Sequence, residues 1–223
     1  MKESTAMILL PIFIFIASLI TLLIITYLIP QSKWRITIKS ITSLGFLTIG
    51  IICYLSSSHS YSSAYLLLGL TLCFIGDIFL AFAHGRPLKH NPVAILGIIT
   101  FGFAHLLFVI SFILQGFVIP VFFLFLPISI GFLTLIIMIK DPFDFGLIRI
   151  LIAIYAFIIT LMLVAAFCTH IPIIIIGACF FVISDVILCF VYFFAKNYPI
   201  LRCLPYIFYY IGQLLLALIL FTL

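Results

Sequence analysis

Charge is what this chain has least of. Of 223 residues only 7% are Asp, Glu, Lys or Arg, and only five are acidic. Soluble domains average about 25% charged residues, so that scarcity excludes an ordinary soluble fold. Polar linkers are missing too: no break between apolar runs is long enough to hold a soluble domain. Paired cysteines are absent. Cys53, Cys73, Cys168, Cys179, Cys189 and Cys203 are scattered, and none forms a CxxC pair. The sequence therefore offers no metal or disulfide framework, and these residues read as small apolar packing groups. The net charge of +5 does not imply a nucleic-acid partner, because the basic residues sit in short breaks between apolar segments.

What fills the chain is hydrocarbon: 67% of its residues are hydrophobic and the mean hydropathy is +1.55. This is the composition of a polytopic helical membrane protein. A span takes about 20 apolar residues, and eight segments qualify: roughly 7–29, 34–55, 61–83, 93–114, 117–139, 148–169, 171–195 and 203–222. The first is longer than a signal-peptide core and lacks a small-residue cleavage site, so it reads as a true span. The expected fold is all-α, one bundle of eight transmembrane helices.

Orientation follows from Lys and Arg. With the N-terminus outside, Lys33, Arg35, Lys39, Arg86, Lys89, Lys140, Arg149, Lys196 and Arg202 fall on the cytoplasmic side and only Lys2 falls outside. Both termini are expected on the non-cytoplasmic face, in an integral membrane protein of the bacterial inner-membrane type. A shift of 108 residues lays "GLTLCFIGDIFLAF" (69–82) over "GACFFVISDVILCF" (177–190), matching Gly69 to Gly177 and Asp77 to Asp185, with His105 over Gln213. The pattern suggests two four-helix repeats with the same membrane direction.

The five acids divide by place. Glu3, Asp141 and Asp144 lie at ends or in breaks, where they are solvated. Asp77 and Asp185 sit inside spans, where a carboxylate costs roughly 2.5 kcal/mol or more. Such groups usually face the bundle interior and mark function, the bland alternative being a clasp between helices. Counting about 1.5 Å per residue from the cytoplasmic ends, Lys39, Asp77, Tyr155 and Tyr209 share a level, with Asp185, His105 and Gln213 slightly deeper. Together they describe a pocket opening toward the cytoplasmic leaflet. Singly, His105 reads as a packed histidine, the tyrosines (Tyr210 included) as interfacial aromatics, Lys39 as a snorkelling side chain, and Ser184 as bonded to its own helix. Two carboxylates with unlike neighbours divide into general acid and general base, as acid-catalysed hydrolysis requires. Asn in place of either is expected to fold at least as well, being cheaper to bury.

These residues resemble those of the YhhN-like lysoplasmalogenase family. "KSITSL" at Lys39, "GDIFL" at Asp77, "FAHLLF" at His105, "AIYAF" at Tyr155, "ISDVIL" at Asp185 and "YYIGQLL" at Gln213 occur in the family's order. The chain departs from it at Ser40, often Pro, and at Phe108, often Tyr. The resemblance implies hydrolysis of the vinyl ether of a lysoplasmalogen to a fatty aldehyde and a glycerophospho-ethanolamine or -choline. It implies no cofactor and no metal; the partners are a lysophospholipid drawn from the membrane and water. Asp77 and Asp185 are the expected catalytic pair, with Lys39, His105, Tyr155, Tyr209 and Gln213 in support. Other classes fit the same acids. A proton-coupled transporter suits them equally, and so does a lipid-binding protein without chemistry. An intramembrane aspartyl protease suits them less, because its GxGD pattern requires Gly where this chain has Phe74.

Overall fold

A computed structural model describes residues 2–84, 91–116, 118–140, 148–193 and 198–223. The described residues form eight α-helices: α1 (Lys2–Leu28), α2 (Trp34–Leu55), α3 (Tyr61–Ala83), α4 (Pro92–Ile113), α5 (Phe125–Lys140), α6 (Ile148–Cys168), α7 (Pro172–Phe193) and α8 (Pro199–Leu218). The side chains of Lys2, Glu3, Arg86, Lys89, Lys140, Asp141, Asp144 and Lys196 lie outside the described set.

Helix starts carry local chemistry that the sequence displays. Ser60 caps α3 by accepting from the Ser63 amide at 3.0 Å. Asn91 caps α4 ahead of Pro92, and its Nδ2 donates to the Ala83 carbonyl at 2.8 Å, closing the α3–α4 corner. Pro92 and Pro199 occupy first-turn positions, where no backbone donor is lost. That start brings α8 four residues earlier than the apolar count from 203 suggested, so Arg202 lies inside the helix.

Seven of the eight helices are long and apolar enough to cross a membrane, and the protein is an integral multi-pass membrane protein. The exception is the fifth segment. A continuous span was expected over 117–139, but a 3-10 turn occupies Val121–Leu124 and α5 begins only at Phe125. Pro120 and Pro127 explain it: neither can donate to a helical ladder running through this region. Sixteen residues rise about 24 Å, short of the roughly 30 Å hydrocarbon core, and the four-residue 3-10 turn that runs into them adds about 8 Å, so the two together still reach across.

Packing follows a closed circuit. α2 packs on α3, α3 on α4, α4 on α6, α6 on α7, α7 on α8, and α8 back on α2. α1 lies outside this ring against α2 and α8, and α5 lies outside it against α6. The ring obeys a two-fold pattern in which α3 and α4 face α7 and α8. Close contacts repeat with it. A Cβ on Gly69 would meet the Phe108 ring at 2.4 Å and the Ala104 carbonyl at 3.2 Å; one on Gly177 would meet Leu216 at 3.3 Å and the Gly212 carbonyl at 3.4 Å. Adding 108 to each number of the first set produces the second.

Candidate functional site

The six ring helices are the ones that carry the predicted polar residues. Five of them place such a residue on one cavity, and α4 places His105 behind its wall. Polar residues on α2 and α8 recur at helical spacing: Arg35, Lys39 and Ser43 on the first, Arg202, Tyr206, Tyr209 and Gln213 on the second.

Asp77 is 2% exposed and has three side-chain partners. Lys39 Nζ lies 2.9 Å from its Oδ1. Its Oδ2 accepts from Ser43 at 2.7 Å and from Tyr209 at 2.6 Å. Tyr210 lies 2.9 Å from Ser43 Oγ; since the Ser43 proton goes to Asp77, Tyr210 donates. Lys39 therefore does not snorkel. It is 7% exposed and also donates to the Asp77 carbonyl at 3.3 Å.

Asp185 is only half-buried and has a leaner shell. Tyr155 donates to its Oδ2 at 2.5 Å, and His105 Nε2 lies 3.1 Å from the Tyr155 oxygen. With the Tyr155 proton on Asp185, His105 donates through Nε2, which leaves its buried Nδ1 without a partner. The two-fold relation makes the contrast plain. The positions matching Lys39, Ser43 and Tyr209 hold Leu147, Leu151 and Phe101, so Asp185 has no counterpart of the Asp77 donor set.

Both carboxylates line one cavity of about 680 Å³. Lys39, Tyr155 and Tyr209 line it as well, over an apolar wall that includes Leu80, Ile98, Phe101, Ile152 and Leu188. It reaches the bundle end where Gln31, Arg35, His84 and Arg202 stand. A groove of about 150 Å³ between α4 and α6 shares Ile98 and Tyr155 with it. At the rim, His84 has its pKa pushed down to about 4 by burial first and by the Arg35 charge next, so it is neutral at neutral pH.

Two expected pocket residues stand behind the wall. His105 and Gln213 are fully buried and do not line the cavity. His105 reaches it only through Tyr155. The Gln213 amide lies beside the Cys73 thiol, and neither of its polar atoms has a partner of good hydrogen-bond geometry. Ser184 does not bond its own helix; it donates to the Pro205 carbonyl of α8 at 2.9 Å. The expectation for Asn at position 77 also changes, because Asp77→Asn would leave the buried Lys39 charge without its counter-ion. Ser43, Arg35, Arg202 and Tyr206 belong to the site and were not singled out for it from sequence. Their four-residue spacing to neighbours on α2 and α8 is the signal that could have found them.

The arrangement holds one charge-compensated carboxylate and one accessible carboxylate over a greasy chamber. Among the described residues no group of His, Cys, Asp and Glu is placed to hold a metal ion. Comparison with curated proteins and with solved structures finds no match. A family model described as the YhhN family matches residues 34–220, from the start of α2 through α8 and so over both carboxylates and the side chains bonded to them. The chain belongs to the YhhN family.

Proposed function

We propose that this protein hydrolyses the vinyl ether bond of a lysoplasmalogen, with Asp185 as the proton donor and Asp77 as the base. The observation that carries this reading is the unequal shell of two carboxylates on one cavity. Asp77 has a cation and two hydroxyl donors on its carboxylate. Among the described residues Asp185 has a single hydroxyl partner, no cation, and a face on the cavity. Family membership supports the assignment to ether-lipid hydrolysis.

The steps close on themselves. Asp185 gives its proton to the β-carbon of the vinyl ether, and the adjacent carbon becomes an oxocarbenium ion. A carboxylate offers about four acceptor sites; Lys39, Ser43 and Tyr209 occupy three on Asp77, which leaves the fourth to accept from the attacking water. That water adds to the oxocarbenium carbon as Asp77 takes its proton, forming a hemiacetal. Collapse returns the Asp77 proton to the glycerol oxygen as the carbon–oxygen bond breaks. The hemiacetal hydroxyl proton passes to Asp185, and a fatty aldehyde and a glycerophosphodiester leave. Both acids regain their starting states, and no redox partner is needed.

The Lys39 and Arg202 end of the cavity faces the cytoplasm under the positive-inside rule, with both termini on the opposite face. The direct experiment is aldehyde release from 1-alkenyl lysophospholipid by purified protein in detergent. A transporter using the same acids makes no aldehyde, so absence of product from well-folded protein would overturn the reading.

A further inference from the structure

Among the described residues, two arginines at the cavity mouth have no anion to hold. Arg35 lies in the first turn of α2 and Arg202 in the first turn of α8, and both line the opening. Arg35 donates to the Tyr206 hydroxyl, and its guanidinium carbon lies 5.6 Å from the Tyr206 ring centroid. The Nε of each arginine is buried without a hydrogen-bond partner. Among the described residues the ion pair is Lys39–Asp77, so neither guanidinium meets a carboxylate. Both line the same opening as His84. An arginine cannot relieve such crowding by losing its proton. Paired planar forks of N–H donors match the oxygens of a phosphate.

Depth supplies a second, independent argument. Asp77 lies seven residues below His84 on α3, and Tyr209, which binds Asp77, lies seven residues below Arg202 on α8. Each interval is about 10 Å along a helix. In a 1-alkenyl glycerophospholipid about seven bonds separate phosphorus from the vinyl carbon that is protonated, a reach of about 9 Å at roughly 1.3 Å of advance per bond. The wall below the arginines is apolar, as a lipid chain requires and a free phosphate does not.

We infer that Arg35 and Arg202 form a subsite for the phosphodiester of a single-chain glycerophospholipid, and that this subsite sets the depth at which the ether bond reaches the carboxylates of the cavity. The inference rests on the hydrolase reading for its register. Tyr206 is the positioning residue, holding the Arg35 fork toward the opening.

The test compares two ligands whose saturated ethers this route cannot hydrolyse: 1-O-hexadecyl-lysophosphatidylcholine and 1-O-hexadecylglycerol. Full-length protein in detergent is expected to bind the phospholipid at least tenfold more tightly. In R35Q and in R202Q that preference collapses toward unity. Equal affinities in the parent, or a preference kept by both Gln variants, would overturn the subsite. Inorganic phosphate displacing the lipid over the lipid's own concentration range would assign the pair to a free anion and overturn it equally. If a Gln variant loses its monodisperse peak, Arg→Lys at that position keeps the charge, loses the fork, and should lower the preference several-fold. A parent that shows the preference yet releases no aldehyde from alkenyl lipid keeps the subsite and defeats the hydrolase reading. Aldehyde release without the preference does the reverse.

Discussion

Asp77 and Asp185 occupy matching positions in the two halves, yet only one of them is tied to a lysine. That difference separates their predicted mutants. Asp77→Asn removes the counter-ion of a buried ammonium and is expected to cost about 3–5 kcal/mol of stability, read as a lower unfolding temperature in detergent. Lys39→Met combined with Asp77→Asn should recover most of that loss, because no unpaired charge remains. Asp185→Asn breaks no ion pair and should unfold within a few degrees of the parent. Tyr155→Phe keeps the ring and deletes the hydroxyl between Asp185 and His105. A hydrogen bond to a charged group is worth about 1.5–3 kcal/mol, so turnover should fall roughly 10- to 100-fold while the protein stays folded. At this scale the sequence reveals what is expensive. A carboxylate in an apolar run stands out, and Lys39 stands out for the same reason. Ser43 and Tyr206 do not, since serine and tyrosine are cheap to place and their value comes from partners on other helices. His105 and Gln213 show the converse: helical depth is legible, but whether a side chain reaches the cavity depends on rotation and on what stands in front of it.

At the scale of elements, close helix crossings hold the site residues in register. α3 meets α4 at Gly69, and α7 meets α8 where Gly177 and Gly212 pass each other. Membrane helices associate through such small residues because apolar burial gives them no preference over lipid. A Cβ on Gly212 would lie 2.9 Å from the Gly177 carbonyl, a backbone atom that cannot step aside. At Gly69 the obstacle is the fully buried Phe108 ring. Gly69→Ala and Gly212→Ala are each expected to destabilise by about 1–3 kcal/mol, whereas Gly102→Ala, with its nearest neighbour at 3.8 Å, should be nearly neutral. Thermal unfolding of the three variants in one detergent checks the order. Seven spans were legible because length and apolarity alone define them. α5 was overread: hydropathy counts 117–139 as continuous, and only the two prolines warn that the helix starts late. The early start of α8 was underread for the complementary reason, since a proline at a first-turn position begins a helix that the apolar count places after the charges.

For the whole molecule, the ring of six helices explains why polar residues scattered over five of its segments line one chamber, with His105 of α4 behind its wall. The 108-residue echo made that arrangement legible in outline, and the matching Gly69 and Gly177 contacts give it a physical basis. What no single sequence displays is the asymmetry inside the echo, where one half keeps the donors and the other replaces them with Leu and Phe. A reporter fused after Leu223 should behave as non-cytoplasmic; a cytoplasmic signal there would break the inferred orientation and turn the cavity mouth to the other face. The central claim is that the unequal acid pair hydrolyses a vinyl ether by protonating carbon. The measurement that tests it most directly is turnover of 1-alkenyl lysophospholipid by purified protein in heavy water, with the aldehyde trapped by reduction and weighed. The account predicts one deuterium at the carbon next to the former carbonyl, and a loss of about 10²–10⁴-fold in aldehyde yield for Asp185→Asn. Aldehyde without that deuterium, or folded Asp185→Asn protein working near the parental rate, would contradict it.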